Sequence, residues 1–189
     1  MAAPRATAAP ATASPRTSEP APTRRTSFLL NVSQGLYDTA LATSIRESEI
    51  TFPALETAHV LGLALMAGAI ALVDFRLLGL VWRRSPVGVV AAQLLPATWS
   101  GFAVMAVTGG LLFCAEAAKM YGNPAFRVKL LLLVLAGLNM LAFHFGVYRR
   151  LADWDLAPSP PPAAKAAAGV SLALWAAIIV AGRMIAYFH

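Results

Sequence analysis

A few ionisable side chains interrupt long apolar stretches of this sequence, and they are its candidates for chemistry. Charged groups are costly in apolar surroundings unless they are paired, so each is expected to face a partner or a ligand. The candidates are Glu56, His59, Asp74, Arg76, Glu116, Lys129, His144 and Arg183. The single cysteine, Cys114, allows neither an intrachain disulfide nor a thiolate metal cluster.

Three of these residues share one face of the first apolar stretch, which is predicted to be a helix. Glu56 and His59 are three residues apart, and Asp74 follows Glu56 by eighteen residues, which is five full turns at about 3.6 residues per turn. The sequence therefore predicts one polar stripe along this helix. Such a stripe could relay protons, as in a proton-coupled transporter.

The polar residues also sort into two levels along the predicted helices. The side that carries both chain termini is here called the terminal face, and the opposite side the loop face. The terminal face is expected to hold Glu56, His59, Glu116, Lys129 and Arg183. The loop face is expected to hold Asp74, Arg76, His144 and Trp99. Lys129 and His144 lie within about 60° of each other around the third helix, so both could face the interior.

The histidines suggest a b-type haem, because neutral imidazole is a standard ligand of haem iron. Two axial nitrogens must approach to about 4 Å, since each bond to the metal is about 2 Å long. At about 1.5 Å per residue, His59 lies about 10 Å into the first helix and His144 about 27 Å into the third, which runs in the same direction. This offset of about 17 Å excludes one haem held by both histidines. The haem hypothesis therefore places His59 alone on the iron, with Lys129 and Arg183 beside the propionates.

Each candidate also has an interpretation without a ligand. His59 could satisfy Glu56 or Arg183 in a buried polar network that fixes helix register. His144, between two phenylalanines, could be structural or interfacial. Asp74 and Arg76 have opposite charges and lie at the end of the first stretch, so they could form an ion pair beside the first loop.

The composition indicates that membrane helices carry these residues. Hydrophobic residues make up 58% of the chain and charged residues 13%, against roughly 25% charged in a soluble domain. Four stretches are long enough to cross about 30 Å of hydrocarbon, and they cover about 52–82, 87–118, 126–148 and 166–188. Their short connections predict an all-α, up-down-up-down bundle of four transmembrane helices. The basic residues lie at segment ends, which excludes nucleic-acid binding despite a net charge of +6.

Two segments precede the predicted bundle. Residues 1–27 are rich in Ala, Pro, Thr and Ser with almost nothing to bury, which predicts a disordered tail. Residues 28–48 alternate apolar and polar side chains at helical spacing, which predicts one amphipathic helix on the membrane surface. The basic residues of the first and third loops favour a cytoplasmic loop face, with both termini outside.

Three strings have a recognisable pattern: FPALETAHVLGLALMAGAIALVDFRLLGL in the first span, NPAFRVKLLLLVLAGLNMLAFHFGVYRR in the third and GRMIAYF in the fourth. They give the chain a resemblance to an uncharacterised family of four-helix bacterial inner-membrane proteins. It covers roughly residues 28–188. It implies a multi-pass location in the bacterial cytoplasmic membrane and no particular activity.

A histidine early in the first span and a lysine that opens the third are also similar to the pattern of the four-helix membrane protoporphyrinogen oxidases and the copper-resistance D-type membrane domains. In the oxidases this histidine and lysine are functionally important and haem b is bound. The resemblance therefore implies functional roles for His59 and Lys129.

Three functional hypotheses stay open at this point. The first is binding of haem b through His59, for electron transfer or haem-pathway chemistry. The second is a non-catalytic membrane subunit or scaffold, whose polar stripe is structural and which contacts a membrane protein or a second copy of itself. The third, a proton-coupled small-solute transporter, is disfavoured because four spans without an internal repeat are unusual for transporters. Whether the protein is an enzyme is undecided.

Overall fold

The computed structural model describes residues 24–157 and 159–188, and every regular element in these ranges is helical. The helices are α1 (Arg24–Tyr37), α2 (Ala40–Glu47), α3 (Thr51–Leu78), α4 (Val87–Gly122), α5 (Pro124–Ala142), α6 (Leu151–Trp154) and α7 (Pro162–Met184). A π-helical turn (Phe143–Val147) and a 3-10 turn (Tyr148–Arg150) join α5 to α6, and a second 3-10 turn (Ile185–Tyr187) follows α7. The predicted all-α fold is confirmed.

Four helical segments are long and apolar enough to cross a membrane. They cover Thr51–Leu78, Val87–Gly122, Pro124–Trp154 and Pro162–Tyr187. The third buries none of its most apolar window inside the protein. An apolar surface of this extent requires lipid around it, so the protein is a multi-pass integral membrane protein.

The ends of the spans have local causes. The first span ends at Leu78, short of the predicted position 82, because Gly79 adopts the left-handed conformation (φ 75°) that closes a helix. The third span extends past the predicted position 148, since the π-helical and 3-10 turns carry it on to Trp154. Within α4 the backbone leaves helical values at Glu116 (φ −120°, ψ 18°), where the helix is kinked.

The segment before the first span differs from the sequence prediction. The structure has two helices, α1 and α2, where the sequence predicts one over 28–48, because the Thr39 side chain caps a new helix by accepting from the Ala42 N–H. Helix α1 begins at Arg24, inside the stretch predicted as a tail. Residues 1–23 lie outside the described residues. Both helices pack on α4, and their position at the membrane surface stays a prediction.

Helix α3 packs against α4 and also against α7, while α5 packs chiefly against α7. The prediction that each span neighbours the next is therefore wrong for α4 and α5, which contact each other much less than their main partners. They do meet near their connection, where the Phe113 and Phe126 rings stack with centroids 5.6 Å apart. Helix α3 thus determines how the polar groups of several helices meet.

The α3–α4 contact includes a very close crossing at Gly62 and Gly101. A Cβ on Gly101 would lie 2.7 Å from the Gly62 carbonyl oxygen and 2.7 Å from the Met66 nitrogen, which are backbone atoms and cannot move aside. Membrane helices use small residues in this way to approach closely. The crossing sets the register that places His59, about one turn before Gly62, against α4.

Replacing Gly101 with Ala is expected to force α3 and α4 apart and to destabilise the detergent-solubilised protein by about 1–3 kcal/mol, the usual effect of overpacking. Thermal unfolding followed by circular dichroism measures the change. Gly110→Ala is the matched control on the same helix, because a Cβ there meets nothing within 4 Å. Equal melting temperatures for the two variants would contradict the close crossing.

Candidate functional site

The His59 side chain is half-buried between α3 and α4. Its Nδ1 lies 3.0 Å from the Thr108 hydroxyl, which donates its own proton to the Val104 carbonyl at 2.6 Å. A hydroxyl whose proton is already donated can only accept, so Nδ1 carries the ring proton. This pairing leaves Nε2 as a lone-pair donor, the form of imidazole that binds metals.

Gly109 makes space for this ring on α4. A Cβ at Gly109 would lie 2.9 Å from Cε1 of His59 and 3.4 Å from its Nδ1. The close helix crossing and the missing side chain at Gly109 together let the imidazole reach the Thr108 hydroxyl. The ring orientation therefore depends on two glycines of α4, Gly101 and Gly109.

The structure brings Lys129 near His59. The Lys129 side chain is half-buried and runs over Gly182 of α7, where its Nζ lies 3.7 Å from the position of a Cβ. Its ammonium is close enough to act electrostatically on the His59 ring. Within the described part of the chain, Lys129 has no ion pair or side-chain hydrogen bond. A histidine and an unpaired cation therefore occupy the terminal side of the bundle.

The other residues predicted for the terminal face do not join them. Glu116 forms an ion pair with Lys119 at 2.7 Å, within its own helix. Arg183 is exposed, with its Cζ 5.8 Å from the Tyr187 ring centroid. Glu56 is exposed and forms no ion pair among the described residues. The suggested network of His59 with Glu56 or Arg183 is thus replaced by the bond to Thr108.

Asp74 and Arg76 are both buried near the loop face, at 6% and 4% exposure, but they do not pair with each other. The Arg76 Nε donates to the Ser85 carbonyl at 2.8 Å, whereas the Asp74 carboxyl lies near the Ser171 side chain of α7. Side chains two positions apart in a helix point in directions that differ by about 200° around its axis. Asp74 and Arg76 therefore point to opposite sides of α3, and the predicted ion pair between them is wrong. Oδ2 of Asp74 has no hydrogen-bond partner among the described atoms.

The predicted polar stripe of α3 is divided between two neighbours. Asp74 contacts α7 through Ser171, whereas His59 contacts α4 through Thr108. Fifteen residues separate them, which corresponds to about 22 Å along the helix. A direct proton relay along α3 therefore has no continuous path of side chains.

His144 and Trp99, predicted for the loop face, both point outward. His144 lies in the π-helical turn, is exposed, and stacks on Tyr148 with centroids 5.5 Å apart. The prediction that it could face the interior together with Lys129 is wrong, because only the lysine does so. Trp99 is 62% exposed and contacts Phe102 edge-on.

Residues 48–188 match the model of a family of unknown function, DUF6644. The chain belongs to this family. The match confirms the predicted resemblance to an uncharacterised family, and it covers helices α3 to α7 while leaving out α1 and α2. No curated protein and no solved structure matches the chain.

The described residues contain no group of three or more His, Cys, Asp or Glu side chains arranged to hold a metal ion.

Sequence reasoning missed several uncharged partners in the DUF6644 region, including Thr108 and Ser171. Asn123 is buried, caps α5 by accepting from the Phe126 N–H at 3.1 Å, and donates through Nδ2 to the carbonyls of Ile185 (3.0 Å) and Phe188 (2.8 Å). The Asn–Pro dipeptide before an apolar run was the available signal for its capping role. No sequence signal indicates its bonds to the C-terminal segment.

Asn123→Ala is expected to destabilise the protein more than Asn123→Ser does. Serine can still cap α5, a role worth about 1 kcal/mol, but it cannot reach the two carbonyls after α7. Thermal unfolding and limited proteolysis of the C-terminal segment should therefore rank the proteins as wild type, then Ser, then Ala. Wild-type behaviour of the Ser variant would show that the C-terminal bonds contribute nothing.

Proposed function

We propose that the protein binds haem b through Nε2 of His59, for electron transfer or haem-pathway chemistry. The observation that carries the proposal is the hydrogen bond from Nδ1 to Thr108, which leaves Nε2 unprotonated within the bundle. Histidines that ligate metals commonly donate their other ring proton to such a partner, which fixes the tautomer and the ring orientation.

The charge near His59 supports an anionic ligand. Lys129 has no acidic partner in the described part of the chain, and an unpaired ammonium between membrane helices is costly. A haem propionate would supply the missing counter-charge. Arg183, the residue after Gly182, is exposed and would offer a second cation at the protein surface.

The membrane and its orientation belong to the same proposal. The resemblance to inner-membrane proteins supports a location in the bacterial cytoplasmic membrane. The loop face carries Arg83, Arg84, Arg149, Arg150 and Lys165, and an excess of basic residues in short loops favours the cytoplasmic side. The His59 side of the bundle would then face away from the cytoplasm.

A second candidate function is a non-catalytic membrane subunit or scaffold. It is favoured by bonds that join helices without any ligand, such as the Asn139 side chain donating to the Ala167 carbonyl at 3.0 Å and the Asn123 side chain donating to the Ile185 carbonyl at 3.0 Å. In that role the polar groups fix helix packing, and a partner protein or a second copy covers part of the apolar surface. This candidate predicts a colourless protein.

Detergent-purified protein supplemented with haem is expected to show a Soret band that His59→Ala removes and His144→Ala retains. His144 is the matched control because it is also in a predicted span, but it is exposed and lies far along α5. Absorption spectra of the oxidised and reduced forms measure the result. A folded wild-type protein without the band would favour the scaffold, and a band that survives in His59→Ala would exclude this ligand.

Thr108→Val is expected to weaken haem affinity by about 10- to 100-fold, the usual effect of losing the partner of a ligating histidine. Thr98→Val is the control on the same helix, since the Thr98 hydroxyl also donates to a carbonyl one turn earlier, that of Leu94 at 3.0 Å, but meets no histidine. Haem titration of the apoprotein measures both. Wild-type affinity in Thr108→Val would remove the positioning role of this hydroxyl.

A further inference from the structure

The loop face carries a cavity that the proposed haem site does not use. Its volume is about 500 Å³, and it is lined by Phe145, Gly146, Arg149 and Arg150. All four residues come from the π-helical turn and the 3-10 turn that follow α5. Arg149 follows Phe145 by four residues, and Arg150 follows Gly146 by four. Each arginine therefore lies about one helical turn beyond Phe145 and Gly146, which form the apolar floor of the cavity.

The two arginines of this cavity are free to bind an anion. Both are exposed, and neither forms an ion pair or a side-chain hydrogen bond within the described part of the chain. The nearest acidic residues in sequence do not pair with them: Asp155 accepts from the Gly88 N–H at 3.0 Å, and Asp153 is exposed. Guanidinium groups bind phosphate particularly well, because their planar N–H groups match its oxygens.

The depth of the cavity corresponds to the surface of a bilayer. The third span begins at Pro124, and at 1.5 Å per residue Arg149 lies about 37 Å farther along the helix axis. The hydrocarbon core is about 30 Å thick, so Arg149 lies beyond it, among the headgroups. Phe145 lies about 31 Å along, at the hydrocarbon boundary. It is 61% exposed, so its ring faces outward from the bundle. The cavity therefore combines an apolar side at acyl-chain depth with a cationic side at headgroup depth.

We propose that this cavity binds the phosphate group of an anionic phospholipid, with the arginines on the phosphate and Phe145 against an acyl chain. Gly146 leaves the floor open, because a Cβ at this position meets nothing within 4 Å. The lipid, rather than free phosphate, is the occupant because the aromatic wall binds a chain that free phosphate lacks. Basic pockets at the ends of membrane helices bind anionic headgroups for the same physical reason.

Native mass spectrometry of the full chain with phosphatidylglycerol or phosphatidylcholine tests this proposal. Wild type is expected to retain phosphatidylglycerol preferentially, and the double variant Arg149→Gln/Arg150→Gln to bind it about 10- to 30-fold more weakly. Arg83→Gln/Arg84→Gln makes the same charge change on the same face and should keep the preference. Equal losses in the two double variants would reduce the effect to general surface charge and overturn the proposal.

A third variant tests the shape of the cavity separately from its charge. Gly146→Leu keeps both arginines and projects into open space, so it should fold normally, obstruct the part of the cavity beside Phe145 and weaken the phosphatidylglycerol preference. Unchanged lipid binding in this variant would overturn the proposed site. Inorganic phosphate added in excess should not displace the lipid, and displacement would identify a free-phosphate site in its place.

Discussion

The close approach of α3 and α4 at Gly62 and Gly101 is the contact on which the rest of the structure depends. Lipid gives helices no hydrophobic reason to associate, so backbone packing and hydrogen bonds must hold them together. With no side chains between them, the two helices come near enough for His59 to reach Thr108 across the interface. The same helix, α3, contacts α7 near the loop face through Asp74 and Ser171, and it thereby links the two sides of the bundle.

Hydrogen bonds, rather than ion pairs, join the described helices to one another. The one ion pair among the described residues, Glu116 with Lys119, lies within a single helix. Removing a neutral hydroxyl or amide from water costs much less than removing a charge, which explains why bonds between helices use Thr108, Asn123 and Asn139. Lys129, Arg149 and Arg150 form no ion pair among the described residues, and they are the cations at which anion binding is proposed.

The terminal side of α4 also holds the segment that lies outside the family region. Arg46 of α2 donates to the Ala115 carbonyl at 3.1 Å, next to the kink at Glu116, and to the Tyr37 carbonyl at 3.2 Å. Its guanidinium lies 3.8 Å from the Tyr37 ring centroid. The Arg46 side chain therefore adds hydrogen bonds to the packing of α1 and α2 on α4, at a point where the α4 backbone departs from regular helix.

The sequence by itself determined the four spans and the environment of the protein, because hydropathy over about 20 residues is a local property that tertiary contacts do not change. It also singled out His59 and Lys129 as ionisable groups within the spans, since the cost of a polar group in lipid is apparent without a structure. Only the tertiary structure decided which helices are neighbours and which way each side chain points. Asp74, Arg76 and His144 each turned to a partner different from the one expected, because rotation of a helix about its axis is set by packing with its neighbours. A deviation of a few degrees per residue from the ideal helical twist accumulates over a span. The spacing of residues in the sequence therefore does not determine which way a distant side chain points.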